Sequence, residues 1–83
     1  GEEAGAPPAF LDPLTCALMA DPVILRSSRQ RVDRSTAARL LLGPAPADPF
    51  SRAPLTTEDL EPDGALRAEI EAWREGRSAR MEE

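Results

Sequence analysis

Few side chains in this sequence could perform nucleophilic or acid–base chemistry. Cys16 is its one cysteine and there is no histidine, so Ser–His and Cys–His nucleophile pairs are excluded within the chain. Cys16 lies in an apolar run without a nearby base, which favours a small hydrophobic role over a reactive thiol. The sequence has no glycine-rich phosphate loop. It therefore favours a binding module over an enzyme with its own nucleophile.

The same composition restricts what can hold the fold together and what it can bind. One cysteine and no histidine exclude an internal disulfide and a Cys/His zinc site. The net charge of −5, with arginine as the only basic residue, argues against a nucleic-acid partner. No apolar run approaches the roughly 20 residues of a membrane span. We expect a soluble, cytoplasmic or nuclear domain stabilised by packing, hydrogen bonds and ion pairs.

The elements that would position any binding residues can be predicted from short patterns. Residues 23–25 and 30–33 are β-prone and predict a hairpin with a polar tip. Asp33 is a good N-cap for a helix over residues 34–42, which Gly43 and Pro44 end. Residues 56–60 predict a short helical turn. Asp63 caps a final helix over residues 64–77, with Leu66, Ile70 and Trp73 on one face.

These elements predict a single small α+β domain over residues 9–77. Residues 1–8 are predicted to be a disordered linker and residues 78–83 a disordered tail. No internal repeat is visible in the sequence. Two proline-rich loops precede the hairpin and follow the central helix. We assign Leu18, Leu55 and Phe50 to the core, whereas Leu14 and Pro49 fit the core and an exposed contact surface equally well.

Five short motifs occur in one order along the chain. They are Phe10-Leu11-Asp12-Pro13-Leu14, Leu18-Met19-Ala20-Asp21-Pro22-Val23, Val32-Asp33-Arg34-Ser35-Thr36, Asp48-Pro49-Phe50-Ser51-Arg52-Ala53-Pro54-Leu55-Thr56 and Leu60-Glu61-Pro62-Asp63. Together they resemble a U-box, the metal-free relative of the RING domain. They are most similar to U-boxes of the ubiquitin-chain elongation factor type, and the resemblance covers roughly residues 9–77.

The resemblance implies a fold in which two loops surround a small hairpin or sheet, a central helix and a C-terminal helix. Hydrogen bonds and ion pairs replace zinc in such a domain, so no metal or cofactor is expected. The candidate residues for this stabilising role are Asp21, Asp33, Arg34, Asp48, Ser51, Arg52 and Thr56. If these residues are buried, loss of one partner would cost around 3–5 kcal/mol.

The resemblance also implies a ubiquitin ligase module without a covalent intermediate on this chain. Its partner would be a conjugating enzyme charged with ubiquitin, and chaperone-linked or proteasome-linked substrates are possible further partners. Arg52 would bridge the conjugating enzyme and its ubiquitin and hold the thioester ready for attack. The implied contacts with the conjugating enzyme are Leu14, Cys16, Leu40, Pro49 and Pro54.

Two positions depart from the family pattern and keep an alternative open. Relatives often have histidine or another polar residue at the position of Leu40, and a larger apolar residue at that of Cys16. The alternative is a non-catalytic interaction module with the same fold. A zinc-dependent finger is a third hypothesis, and it requires that a chelator unfold the domain. We expect no effect of chelator, and we expect a monomer.

Overall fold

The computed structural model describes residues 5–82, with side chains through residue 76. A 3-10 turn, Pro8–Phe10, precedes a hairpin formed by β1 (Pro22–Leu25) and β2 (Gln30–Asp33). Helix α1 (Arg34–Leu40) follows directly, and a second 3-10 turn, Thr57–Asp59, leads into β3 (Leu60–Pro62) and helix α2 (Gly64–Glu82). The predicted α+β class is confirmed.

The three strands form one antiparallel sheet with β1 in the centre. The strand order is β2-β1-β3, with Val23 opposite Val32 on one side and opposite Pro62 on the other. Placing Pro62 on an edge strand agrees with its lack of a backbone donor. The predicted hairpin is confirmed, while β3 follows a stretch that the sequence indicated only as a short helical turn.

Side-chain caps start both helices where the sequence predicts. The Asp33 carboxylate accepts a hydrogen bond from the Ser35 N–H at the start of α1, and the Asp63 carboxylate accepts one from the Leu66 N–H at the start of α2. Helix α1 ends two residues before the predicted residue 42, and α2 continues past the predicted residue 77. Pro8 already belongs to the first 3-10 turn, inside the predicted linker, of which residues 1–4 lie outside the described residues.

Two apolar clusters fill the interior. The first joins the sheet to α1 and consists of Val23, Leu25, Val32, Ala37 and Leu55, with Leu40, Leu41 and Leu60 packed against it. The second joins the N-terminal segment to α2 and consists of Met19, Leu66 and Ile70, with Phe10 and Leu18 beside it. The Trp73 ring meets the Phe10 ring edge to face, with centroids 6.1 Å apart, and so extends the second cluster along α2.

Candidate functional site

Two loops of six residues, loop 1 (residues 12–17) and loop 2 (residues 48–53), have the same conformation. Their sequences are Asp-Pro-Leu-Thr-Cys-Ala and Asp-Pro-Phe-Ser-Arg-Ala. Each loop is closed by an isolated β-bridge, Leu11 with Leu18 and Ala47 with Pro54. The chain therefore contains an internal repeat, and the expectation of none was wrong. The repeat is six residues long, and after the shared Asp-Pro it has one identical position and one position that is a hydroxyl residue in both loops. It is too short to be noticed without its geometry.

The hydrogen bonds within the two loops correspond one to one. In loop 1 the Asp12 Oδ1 accepts from the N–H of Leu14 at 2.7 Å and of Thr15 at 3.3 Å. In loop 2 the Asp48 Oδ1 accepts from Phe50 at 2.8 Å and Ser51 at 3.3 Å. The fifth residue of each loop has a left-handed backbone, with φ of 62° at Cys16 and 68° at Arg52. An Asp followed by Pro at the start of a turn thus fixes the direction of each loop.

Asp12 connects loop 1 to the hairpin and to α1. Its second carboxylate oxygen, Oδ2, accepts hydrogen bonds from the Asp33 N–H at 2.9 Å and from the Thr36 hydroxyl at 2.7 Å. The Asp12 residue is 1% exposed. Burial by itself would raise the pKa of this carboxyl, but the hydrogen bonds from Thr36, Asp33, Leu14 and Thr15 outweigh it and hold the pKa below its ordinary value.

Asp48 plays the corresponding part in loop 2, and it is fully buried. Its Oδ2 accepts from the Ser27 hydroxyl at 2.7 Å, and the Ser27 hydroxyl also lies 2.7 Å from that of Ser51. The hairpin tip is in this way fastened to loop 2. Burial opposes ionisation of Asp48, yet the hydroxyls of Ser28 and Ser27 and the loop N–H groups keep the pKa of its carboxyl below the ordinary value.

Asp33 and Asp21 fasten the segment that precedes β1 to the start of α1. The Asp33 Oδ1 accepts from the N–H of Ala20 at 2.8 Å and of Asp21 at 2.9 Å, while its Oδ2 caps α1. Burial disfavours the charge, but these donors hold the pKa of Asp33 below its ordinary value. The Arg34 Nε lies 2.7 Å from Asp21, and Arg67 of α2 lies 3.8 Å from the same carboxylate.

The candidate stabilising residues thus differ in burial. Asp48 is buried, whereas the side chains of Asp21 and Arg34 are 34% and 51% exposed, so the large cost expected for a buried ion pair does not apply to them. The Thr56 hydroxyl bonds to Asp59 within its own turn. The Ser51 hydroxyl contacts that of Ser27 and so joins loop 2 to the hairpin tip. Sequence reasoning missed Asp12, although its place in the first half of the Asp-Pro repeat is a signal that could have found it.

The third residue of each loop carries an exposed apolar side chain. Leu14 is 44% exposed and Phe50 is 39% exposed. Assigning Phe50 to the core was therefore wrong, because the Asp48 turn directs it outwards; Leu55, at 3% exposure, is in the core as expected, and Leu18 is half-buried against the second cluster. Cys16, Pro49 and Pro54 are also exposed. Leu40 is half-buried and packs on the first cluster, so only part of it is available to a partner.

Arg52 is exposed, and its guanidinium forms no ion pair or hydrogen bond with the residues whose side chains are described. Its backbone N–H donates to the Asp48 carbonyl oxygen at 2.7 Å, which fixes where the side chain begins. Among the described side chains the guanidinium does not join the stabilising network, so its donors are available to another molecule. Arg26 and Arg29 of the hairpin tip differ, since both lie against Glu61.

Within residues 5–82, no group of three or more His, Cys, Asp and Glu side chains has an arrangement that could hold a metal ion. None of the described helices is sufficiently long and apolar to span a bilayer. The two loops, held by the buried Asp12 and Asp48, each expose an apolar side chain, Leu14 or Phe50. Loop 2 also exposes Arg52, whose guanidinium has no partner among the described side chains.

Comparison with known proteins identifies relatives over nearly the whole chain. The family model of the U-box domain matches residues 6–79. The chain is 47% identical over 74 residues to ubiquitin conjugation factor E4 A of Mus musculus, covering 89% of this chain and 7% of that protein. It is 46% identical over 69 residues to the E4 ubiquitin-protein ligase UFD2 of Saccharomyces cerevisiae, covering 83% of this chain and 7% of that protein. A probable ubiquitin conjugation factor E4 of Arabidopsis thaliana is 51% identical over 67 residues, which are 81% of this chain and 6% of that protein.

The chain thus spans only about 7% of the length of these relatives, and the part it matches is the domain itself. The match includes both Asp-Pro loops, the hairpin, α1, β3 and most of α2. The motifs that gave the resemblance all fall within it. The chain belongs to the U-box domain family.

Proposed function

We propose that this domain is a ubiquitin ligase module, which binds a ubiquitin-charged conjugating enzyme and promotes transfer to a substrate or a growing chain. The docking surface consists of six residues on loop 1, on α1, on loop 2 and directly after loop 2: Leu14, Cys16, Leu40, Pro49, Phe50 and Pro54. The names of the relatives, a ubiquitin conjugation factor and a ubiquitin-protein ligase, support this class of activity.

The observation that carries the proposal is that Arg52, whose guanidinium has no partner among the described side chains, lies on one of two fixed loops that each expose an apolar side chain. An exposed Leu14 and an exposed Phe50 offer apolar area that becomes buried when a partner docks. Because each loop is held by a buried aspartate, little conformational freedom is lost on binding. A guanidinium can donate to carbonyl groups of two partners at once and so fix the thioester for attack. No nucleophile on this chain is required.

Discharge of charged conjugating enzymes onto free lysine tests the proposal. A panel of such enzymes, each linked to ubiquitin by a thioester, is incubated with free lysine with and without the folded domain. We expect the domain to accelerate loss of the thioester for at least one enzyme of the panel. Acceleration of none, with a domain that circular dichroism shows to be folded, would contradict the proposal.

A non-catalytic docking module remains the alternative, favoured by the small Cys16 side chain and the half-buried Leu40, which both reduce the apolar area of the docking surface. Titration of conjugating enzymes followed by NMR separates the two. Amide shifts centred on Leu14, Leu40 and Phe50, the neighbour of Pro49, support the ligase. Shifts that avoid these residues, together with no discharge, support the alternative.

A further inference from the structure

All ten cationic side chains of the chain are arginines. The guanidinium stays protonated in proteins and its nitrogen electrons are delocalised, so it does not attack a thioester. A lysine ammonium can lose its proton and act as a nucleophile. Each cationic side chain of this domain is therefore one that cannot accept ubiquitin.

The arginines whose side chains the structure describes lie on several elements and are open to solvent. The side chains of Arg26, at the end of the hairpin, and Arg67, on α2, are 58% and 55% exposed. Arg39, on α1, is also exposed. Lysines at the same positions would present their amines to any ubiquitin thioester held nearby. The surface of the domain has no side-chain amines at these positions because the residues are arginines and not lysines, and not because they are buried.

We infer that the use of arginine and not lysine makes the side chains of this domain inert as amine acceptors in the transfer that it is proposed to promote, so that ubiquitin passes to an amine on another molecule or another part of a longer chain. This inference rests on the proposed function. In the reaction, an acceptor nitrogen attacks the thioester carbonyl, the C–N bond forms, the C–S bond breaks, the thiolate of the conjugating enzyme leaves and the amine proton goes to solvent. Attack by a hydroxyl would give an ester and attack by Cys16 a thioester, which are chemically distinguishable from an amide.

The first test uses the 83-residue chain with its α-amine acetylated, so that it contains no primary amine. It is incubated with a charged conjugating enzyme and free lysine, and both discharge and ubiquitin–domain adducts are measured by mass spectrometry. We expect accelerated discharge onto free lysine and no adduct that survives thiol and mild alkali. An adduct that survives both treatments would overturn the inference.

The second test adds one amine at a time while keeping the charge. The variants Arg26→Lys, Arg39→Lys and Arg67→Lys place an amine on the hairpin, on α1 and on α2. We expect discharge onto free lysine to stay within about twofold of the parent chain. At least one variant should gain an alkali-stable adduct at its new lysine. If none does, the arginines do not determine the acceptor and the inference is wrong. If the parent chain accelerates no discharge, the proposed function has failed, and the inference with it.

Discussion

Arg52 and Arg29 are exposed arginines with nearly the same left-handed backbone, φ 68° and 60°. They differ in that Arg29 lies 3.6 Å from Glu61, whereas Arg52 has no described partner. Truncation of either removes the same charge and leaves the same backbone conformation for alanine to adopt. Comparing the alanine variants of Arg52 and Arg29 therefore distinguishes a role of Arg52 in ubiquitin transfer from a role in the fold.

We expect Arg52→Ala to slow discharge onto free lysine about 100-fold, the cost of removing one donor that stabilises a reacting group. Its dissociation constant for the conjugating enzyme should change by less than about threefold, because the apolar contacts remain. Arg29→Ala should retain discharge. Single-turnover kinetics and calorimetric titration provide the two readouts. A melting temperature that falls in Arg52→Ala and not in Arg29→Ala would instead make Arg52 a structural residue.

Leu14 is expected to be the apolar anchor of the docking surface. Leu14→Ala removes most of a side chain that is 44% exposed before binding, and we expect about a tenfold rise in the dissociation constant for the conjugating enzyme. Leu42 is the control, since it is 84% exposed and lies outside the proposed surface. Equal weakening by Leu42→Ala would indicate a general loss of apolar surface and contradict an anchor at Leu14.

For single residues, the sequence predicted which kinds of chemistry are absent better than it predicted which side chains point outwards. The absence of a nucleophile–base pair follows from composition, and the exposure of Leu14 was left open. Phe50 was misassigned because its exposure depends on the hydrogen bonds that the Asp48 carboxylate accepts from the loop N–H groups, which hydrophobicity does not encode. Asp12 was missed for the same kind of reason, since two of its partners, Asp33 and Thr36, reach it only in the fold.

Among the elements, the two loops invite a direct comparison because they are built alike. Asp12 Oδ2 accepts from a backbone N–H, that of Asp33, which cannot reverse its polarity. Asp48 Oδ2 accepts from the hydroxyl of Ser27, which can rotate and accept instead. An asparagine amide nitrogen would therefore face a donor in loop 1 and a potential acceptor in loop 2.

We expect Asp12→Asn to lower the free energy of unfolding by about 3 kcal/mol and Asp48→Asn by about 1 kcal/mol. Because 1 kcal/mol shifts the melting temperature of a domain this size by about 4–8 °C, thermal unfolding resolves the difference. Both variants keep the side-chain size and remove one negative charge, so each controls for the other. If both variants lose the same free energy of unfolding, the loss does not depend on whether the partner of Oδ2 is an N–H or a hydroxyl.

The hairpin, the start of α1 and the start of α2 could be predicted because each is encoded locally, by β-prone residues or by the caps Asp33 and Asp63. The ends of the helices were less predictable. Helix α1 ends at Leu40 although Leu41 and Leu42 are good helix formers, and Leu41 instead packs on the first cluster. Strand β3 was not predicted, since three residues that include Pro62 form a strand only by pairing with β1.

For the whole molecule, aspartate carboxylates take the place that metal ligands have in zinc-stabilised domains. Four of them, Asp12, Asp33, Asp48 and Asp63, receive side-chain or backbone donors that join separate elements. In Asp63 the Arg31 guanidinium is the main cause of a pKa below the ordinary value, and in the other three the hydrogen bonds overcome burial. The stability of the fold is thereby coupled to protonation.

The direction of this coupling follows from the lowered pKa values. Each carboxylate binds its proton less readily in the folded state than in the unfolded chain, where its pKa is near 3.8. The stabilisation is therefore complete at neutral pH, begins to fall as the pH approaches about 4, and is lost as the pH drops through the folded-state pKa values.

We expect the melting temperature to be level from pH 7 to about 5 and to fall steeply below pH 4. Asp12→Asn should start lower and fall less, since one of the four titrating groups is gone. A melting temperature that is constant down to pH 2, or a slope unchanged in Asp12→Asn, would show that these carboxylates do not hold the domain together.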